Sequence, residues 1–278
     1  MTAAVERCLV MGIVNRTPDS FFDGGRMGLG PAVEHALRLV AEGADVLDLG
    51  GVSAGPGAAV GEAEETDRLL PLVEALASEV AVPLSVETHR ADVARAAIAA
   101  GARIVNDVTG LSDPDLAGVV AASEAKLVVM HHGGQIRGRP RNPRYDDVVV
   151  AVRGQLLAYA DAAHAAGVPR DRIVVDAGLD FGKNTWHSLE LVRRTHELTV
   201  LGYPLLVAAS RKDVVGETLD LPPDQRLEGT LALVALSVLG GAAIVRVHDV
   251  RATVRTVRMV EAVMGRRPPA APVRGLWE

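Results

Sequence analysis

The sequence predicts a single-domain (β/α)8 TIM barrel, and three observations lead there. Eight short apolar, β-branched runs recur along 278 residues, and Ala-rich stretches of helical spacing separate them. Several of those stretches end in a glycine just before the next run, at Gly43, Gly101 and Gly167. Strict alternation of strand and helix implies a parallel sheet, and eight such units fill about 250 residues when they close into a barrel. An open doubly wound sheet is the alternative arrangement.

Taken in order, residues 8–14 form the first strand. The run is too short to span a membrane, and it ends in Asn15-Arg16 without a small-residue cleavage pattern, so it reads as neither anchor nor signal peptide. Residues 31–41 make the first helix, 45–49 the second strand and 64–78 its helix. Strands at 83–86 and 103–105 flank a helical stretch at 91–100. The fifth strand covers 126–130, followed by a helix at 148–166. Strands at 172–175, 204–209 and 243–247 complete the set, with a helix at 226–239 before the last. The barrel is expected to occupy residues 1–265, and the Pro-rich tail 266–278 to lie as a surface strap or a loosely ordered segment.

Composition narrows the function. A 49% hydrophobic content with only 3% aromatics suits an aliphatic barrel interior and not a base-stacking platform. The net charge of −6 offers no positive field for phosphate backbones or anionic lipid, so neither nucleic acid nor membrane is expected as a partner. Cys8 is the only cysteine and cannot form an intrachain disulfide; it reads as a buried structural thiol in a cytoplasmic protein.

Nearly every predicted strand ends in residues that a buried strand should avoid: Asn15, Asp48, Glu87, Asn106-Asp107, His131-His132, Asp176, Ser210-Arg211-Lys212, and Arg246 with His248. In a barrel these ends converge on one rim, where such folds place their chemistry. For Asp48 and Asp107 a cap or turn role is an equal alternative. Glu87, Asn106, Asp176 and Lys212 offer the donors and acceptors that match the edge of a planar heterocycle. Asn15, Arg246 and His248 suit an anion, bridged by a hard cation such as Mg2+. His131 and His132 are consecutive and point to opposite faces, which argues against a shared metal. The Gly178–Asn184 segment has the wrong glycine spacing for a P-loop, and the Gly25–Gly30 segment follows no strand directly, so no nucleotide loop is expected.

The segments MGIVNRTPDSFFDGG, DLGGVSAGPG, SVETHRADVA, VND, MHHGG, DAGLDFGK, ASRK and RVHDV occur in this order at the predicted strand ends. Together they resemble the dihydropteroate synthase family over almost the whole chain. The resemblance implies a transferase of folate biosynthesis in which dihydropterin pyrophosphate loses diphosphate and the amine of p-aminobenzoate attacks the exocyclic carbon. It also implies pterin contacts from Glu87, Asn106, Met130, Asp176 and Lys212, and a p-aminobenzoate side formed by Phe181, Ser53 and Pro56. The catalytic set would be Asn15, Glu87, Lys212, Arg246 and His248, with Asn15 as the ligand of Mg2+ and a homodimer as the assembly.

Four positions depart from the family pattern. Ala54 and Gly55 stand where the second loop normally carries threonine and arginine; Glu87 replaces an aspartate; Asp180 stands at a usual glycine. Arg16 is the candidate replacement for the missing arginine. These departures resemble a divergent second copy of the synthase found in some bacteria and considered inactive in folate synthesis. An inactive pterin-binding paralogue is therefore the alternative function, and a different pterin-using transferase, such as a corrinoid methyltransferase relative, is the third.

Overall fold

A computed structural model of the chain describes residues 7–15, 28–52, 60–134 and 142–274. Eight parallel strands close into a barrel in chain order, β1-β2-β3-β4-β5-β6-β7-β8, with β8 pairing back onto β1. The strands are β1 Leu9–Asn15, β2 Val46–Gly50, β3 Leu84–Glu87, β4 Ile104–Asp107, β5 Lys126–Met130, β6 Ile173–Asp176, β7 Leu205–Val207 and β8 Ile244–Val247. Each sits within a residue or two of its expected place. Helices α1 Leu29–Ala41, α2 Glu62–Ala77, α3 Ala91–Ala100, α4 Leu116–Ala121 and α5 Val148–Ala165 wrap the first half. The second half carries α6 Thr185–Arg193, α7 Thr195–Thr199, α8 Asp213–Leu219, α9 Leu227–Leu239 and α10 Val250–Val263.

Side-chain alternation splits the core in two. Outward-facing strand residues such as Leu47, Leu49, Val105, Leu127, Val129, Val175 and Val245 pack against the helices in one large buried cluster. Inward-facing Met11, Val46, Ile104, Val128, Val174, Leu206 and Ile244 form a second, smaller cluster that plugs the barrel. Alternation then dictates what lies above this plug: two residues further along the same strands come Ile13, Asp48, Asn106, Met130, Asp176, Ala208 and Arg246. The interior thus changes from apolar to polar at the C-terminal ends.

Local signals agree with the helix ends. Asp147 caps α5 by accepting from the Val149 and Val150 amides at 2.8 and 3.0 Å, and Asn184 caps α6 by accepting from the His187 amide at 2.9 Å. Gly43, Gly101 and Gly167 all have positive φ, as expected of residues that turn the chain out of a helix. Residues 266–274 carry no helix or strand. No described helix is long and apolar enough to cross a membrane.

Candidate active site at the C-terminal mouth of the barrel

The polar layer is centred on Asp48, which is fully buried on β2. Ser85 Oγ donates to Asp48 Oδ1 at 2.5 Å, Asn106 Nδ2 approaches Asp48 Oδ2 at 3.3 Å, and Arg246 Nε donates to the same oxygen at 2.6 Å. Arg246 Nη2 also donates to Glu87 Oε2 at 2.6 Å. One guanidinium from β8 therefore joins carboxylates from β2 and β3, with an amide from β4 completing the group. Asp48 therefore belongs to the buried polar layer and not to a cap or turn. Asp107, the next residue after Asn106, faces the other way and fulfils the turn alternative: its carboxylate accepts from the Thr109 and Leu111 amides at 2.8 and 2.5 Å.

Asp176, at the end of β6, is buried, and its Oδ1 accepts from the Gly178 amide at 2.8 Å. Lys212, just before α8, donates from Nζ to the Leu179 carbonyl at 2.8 Å and lies 4.9 Å from the centre of the Phe181 ring. Met130 is buried on β5, two residues beyond the inward-facing Val128. Asn15 ends β1 opposite Gly50, where an added Cβ would sit 2.8 Å from Asn15 Oδ1; glycine keeps that space open. Ser53 and Pro56, with Arg16, Ala54 and Gly55, lie outside the described residues.

Burial governs the charges. It pushes the carboxyls of Glu87 and Asp176 above their ordinary range, opposed by Arg246 at Glu87 and by Lys212 at Asp176. It pulls the Lys212 ammonium down, opposed by Asp176. At Arg246 burial works against the charge, but Asp48 and Glu87 outweigh it and hold the guanidinium more firmly protonated than usual. His248 is pulled down to about 4 by burial, then by Arg246 and Arg211, so it is a neutral ring at pH 7. Its Nδ1 lies 3.0 Å from Ser210 Oγ, which itself accepts from the His248 amide at 3.1 Å.

Two further residues behave as structure. Lys183 is buried, and its Nζ meets His131 Nδ1 at 2.7 Å and the Gly178 and Phe181 carbonyls at 2.9 and 2.8 Å. It pins the β6–α6 loop and binds no nucleotide phosphate in this arrangement. The loop is tight enough that Gly178, at φ 62°, could not carry a Cβ without striking the His131 carbonyl. Asp180, at φ 70°, accepts from Ser188 Oγ at 3.0 Å and from the Val214 amide of α8 at 3.1 Å. These two neutral donors fix its carboxylate between α6 and α8. His131 and His132 point apart, His132 Nε2 lying 3.1 Å from the Tyr159 hydroxyl. Among the described residues, no group of three or more His, Cys, Asp or Glu side chains is disposed to hold a metal.

This arrangement can present a buried, shape-selective polar edge beside a cationic group. The family model described as "Pterin binding enzyme" matches residues 11–248. The chain belongs to the dihydropteroate synthase family. It is 41% identical to the dihydropteroate synthase of Bacillus subtilis over 264 residues, covering 94% of this chain and 90% of that one. It is 49% identical over 280 residues to the inactive dihydropteroate synthase 2 of Mycobacterium tuberculosis, covering 98% and 88% of the two chains. The solved Xanthomonas albilineans dihydropteroate synthase in complex with 7,8-dihydropteroate superposes with a TM-score of 0.84 at 41% identity, over 97% of each chain. In their described parts the eight family segments fall at the eight strand ends, where the residues of the polar layer also lie.

Proposed function

We propose that the barrel mouth binds dihydropterin pyrophosphate and that the protein is a cytoplasmic dihydropteroate synthase-type transferase acting on p-aminobenzoate. The observation that carries the reading is Asn106 Oδ1, a buried acceptor with no hydrogen-bond partner among the described residues. A buried, unpaired carbonyl oxygen costs about 1–3 kcal/mol, which an N–H donor on an aminopterin edge would recover. Asp176 accepts from the same kind of donor, and Met130 contributes an apolar wall to the ring. The Xanthomonas structure with 7,8-dihydropteroate supports placing a pterin in a mouth of this shape.

The chemistry follows from charge. As the exocyclic C–O bond breaks, its electron pair leaves with diphosphate, and the lone pair of the p-aminobenzoate amine forms the new C–N bond before the nitrogen sheds a proton to solvent. Arg246 and neutral His248 can donate to the leaving diphosphate, while Asp176 and Glu87 favour positive character at the carbon. Lys212 and Phe181 border the incoming amine, with Ser53 and Pro56 assigned to that side. Mg2+ fits as an ion carried in on the phosphates: Asn15 offers it a single neutral oxygen, and when bound it would offset the charge of the diphosphate. Two copies are proposed to pair through α9.

One pair of observations favours a second reading, a pterin-binding paralogue without the condensation. The loop at residues 53–57 lacks the family's threonine and arginine, and the 49%-identical Mycobacterium relative carries the name inactive dihydropteroate synthase 2. Both readings require pterin binding, which calorimetry with dihydropterin pyrophosphate tests. Asp176→Ala is expected to weaken it by about 1–3 kcal/mol. Equal affinity in wild type and variant would remove the pterin from the site.

A further inference from the structure

We propose that Glu87 is a built-in competitor for Arg246, holding the guanidinium in place of a ligand's phosphate group and so setting how strongly the barrel mouth retains anions. The inference depends on the pterin pyrophosphate reading only for the name of the ligand. The ion pair itself is formed by this chain's own residues.

Arg246 donates from two of its three nitrogens, Nε to Asp48 and Nη2 to Glu87, each at 2.6 Å. The two acceptors are not equivalent. Asp48 is fully buried and tied also to Ser85 and Asn106, so it is a fixed part of the layer. Glu87 stands at the last position of β3 with 13% of its side chain exposed, against none for Asp48, so it is the more accessible of the two acceptors. Of the two acceptors it is the one an arriving anion can displace.

Reach explains why this chain has the pair. An aspartate at position 87 would end one C–C bond, about 1.5 Å, short of the present carboxylate. A 2.6 Å contact would open to roughly 4 Å, beyond hydrogen-bond distance. The extra methylene therefore converts a carboxylate that only neighbours the guanidinium into one that occupies it. Carboxylate and phosphate oxygens compete for the same charge-assisted donors of a planar guanidinium. A phosphate must displace Glu87 or accept the donors that remain, and a displaced Glu87 becomes available to the ring edge.

Titration calorimetry of inorganic diphosphate against wild type, Glu87→Asp and Glu87→Gln tests this, with circular dichroism to check that all three fold alike. Glu87→Asp keeps the charge but releases Arg246, so it should bind diphosphate roughly tenfold more tightly than wild type, the scale of one charge-assisted hydrogen bond. Glu87→Gln should gain at least as much. Affinity that rises only in Glu87→Gln would show that bare charge and not the ion pair sets binding, and would overturn the proposal; so would absence of binding in all three. A pterin lacking phosphate, titrated in parallel, separates the two ideas: if it fails to bind while diphosphate follows the expected order, the pterin reading falls and the competitor stands.

Discussion

His131 shows how a single residue in this barrel carries a pH dependence. Burial, and then the neighbouring Lys183 ammonium, pull it down to about 3, so the ring is neutral in the folded protein and basic in the unfolded chain. The unfolded state then binds the extra proton between roughly pH 6.5 and pH 3, and stability must fall as pH is lowered through that window, by up to about 1.4 kcal/mol per pH unit for one such group. Urea midpoints measured from pH 7 to pH 4 should decline, and His131→Gln should decline less steeply. Identical slopes in the two proteins would contradict this assignment. At the same scale, the sequence made Asn15, Glu87, Asn106, Asp176, Lys212 and Arg246 visible because each interrupts an apolar run. It left Asp48 and Asp107 alike, since both are acids at strand ends. Counting in twos from an inward residue separates them: Val46 to Asp48 stays inside, while Ile104 to Asp107 does not. The Arg246–Glu87 contact was not legible, because it depends on the barrel's closure between β1 and β8.

Helix α9 poses the question of assembly. It is apolar nearly all round, and a barrel can bury only one side of it. Thr230, Leu233, Val234 and Val238 face inward and are buried, whereas Leu236 and Leu239 are 52% and 57% exposed. These two leucines edge a groove of about 460 Å³ shared with Leu189, Val192 and His196 of α6 and α7. A second copy seated on this face would cover them. Light scattering should give a dimer mass, and Leu236→Asp should shift it to the monomer; a wild type that stays monomeric at every concentration would leave α9 as a barrel helix with an unpaired rim. The strands were easy to read because short β-branched runs bounded by glycine have few other interpretations. Helices α4, α6, α7, α8 and α10 drew no expectation of their own; α4, α7 and α8, at five to seven residues, are too brief for a periodic signal, whereas the 14-residue α10 is not. The β6–α6 loop was legible only in what it is not: wrong glycine spacing excluded a P-loop, but that Lys183 buries itself under three carbonyls follows from the fold of the loop.

At the scale of the whole molecule, the polar layer of the barrel mouth is assembled, while Glu87 and positions 54 and 55 depart from the family pattern. Asn106, Asp176, Met130 and Lys212 lie buried or partly buried at the mouth with Asp48 and Arg246, whereas the sequence carries alanine and glycine at positions 54 and 55, where the family pattern has threonine and arginine. A fold and a pocket do not by themselves establish a reaction, so turnover is the quantity that decides. The most direct measurement is formation of dihydropteroate from dihydropterin pyrophosphate and p-aminobenzoate by the purified wild type, beside Ala54→Thr/Gly55→Arg and the same double change with Glu87→Asp. Measurable product is expected from the wild type, abolished in Asp176→Ala and raised in the restored variants by at least tenfold, the scale of one charge-assisted anion contact. No product from the wild type or from any restored variant, with pterin binding intact, would contradict the transferase and leave a pterin-binding barrel that does not carry out this condensation.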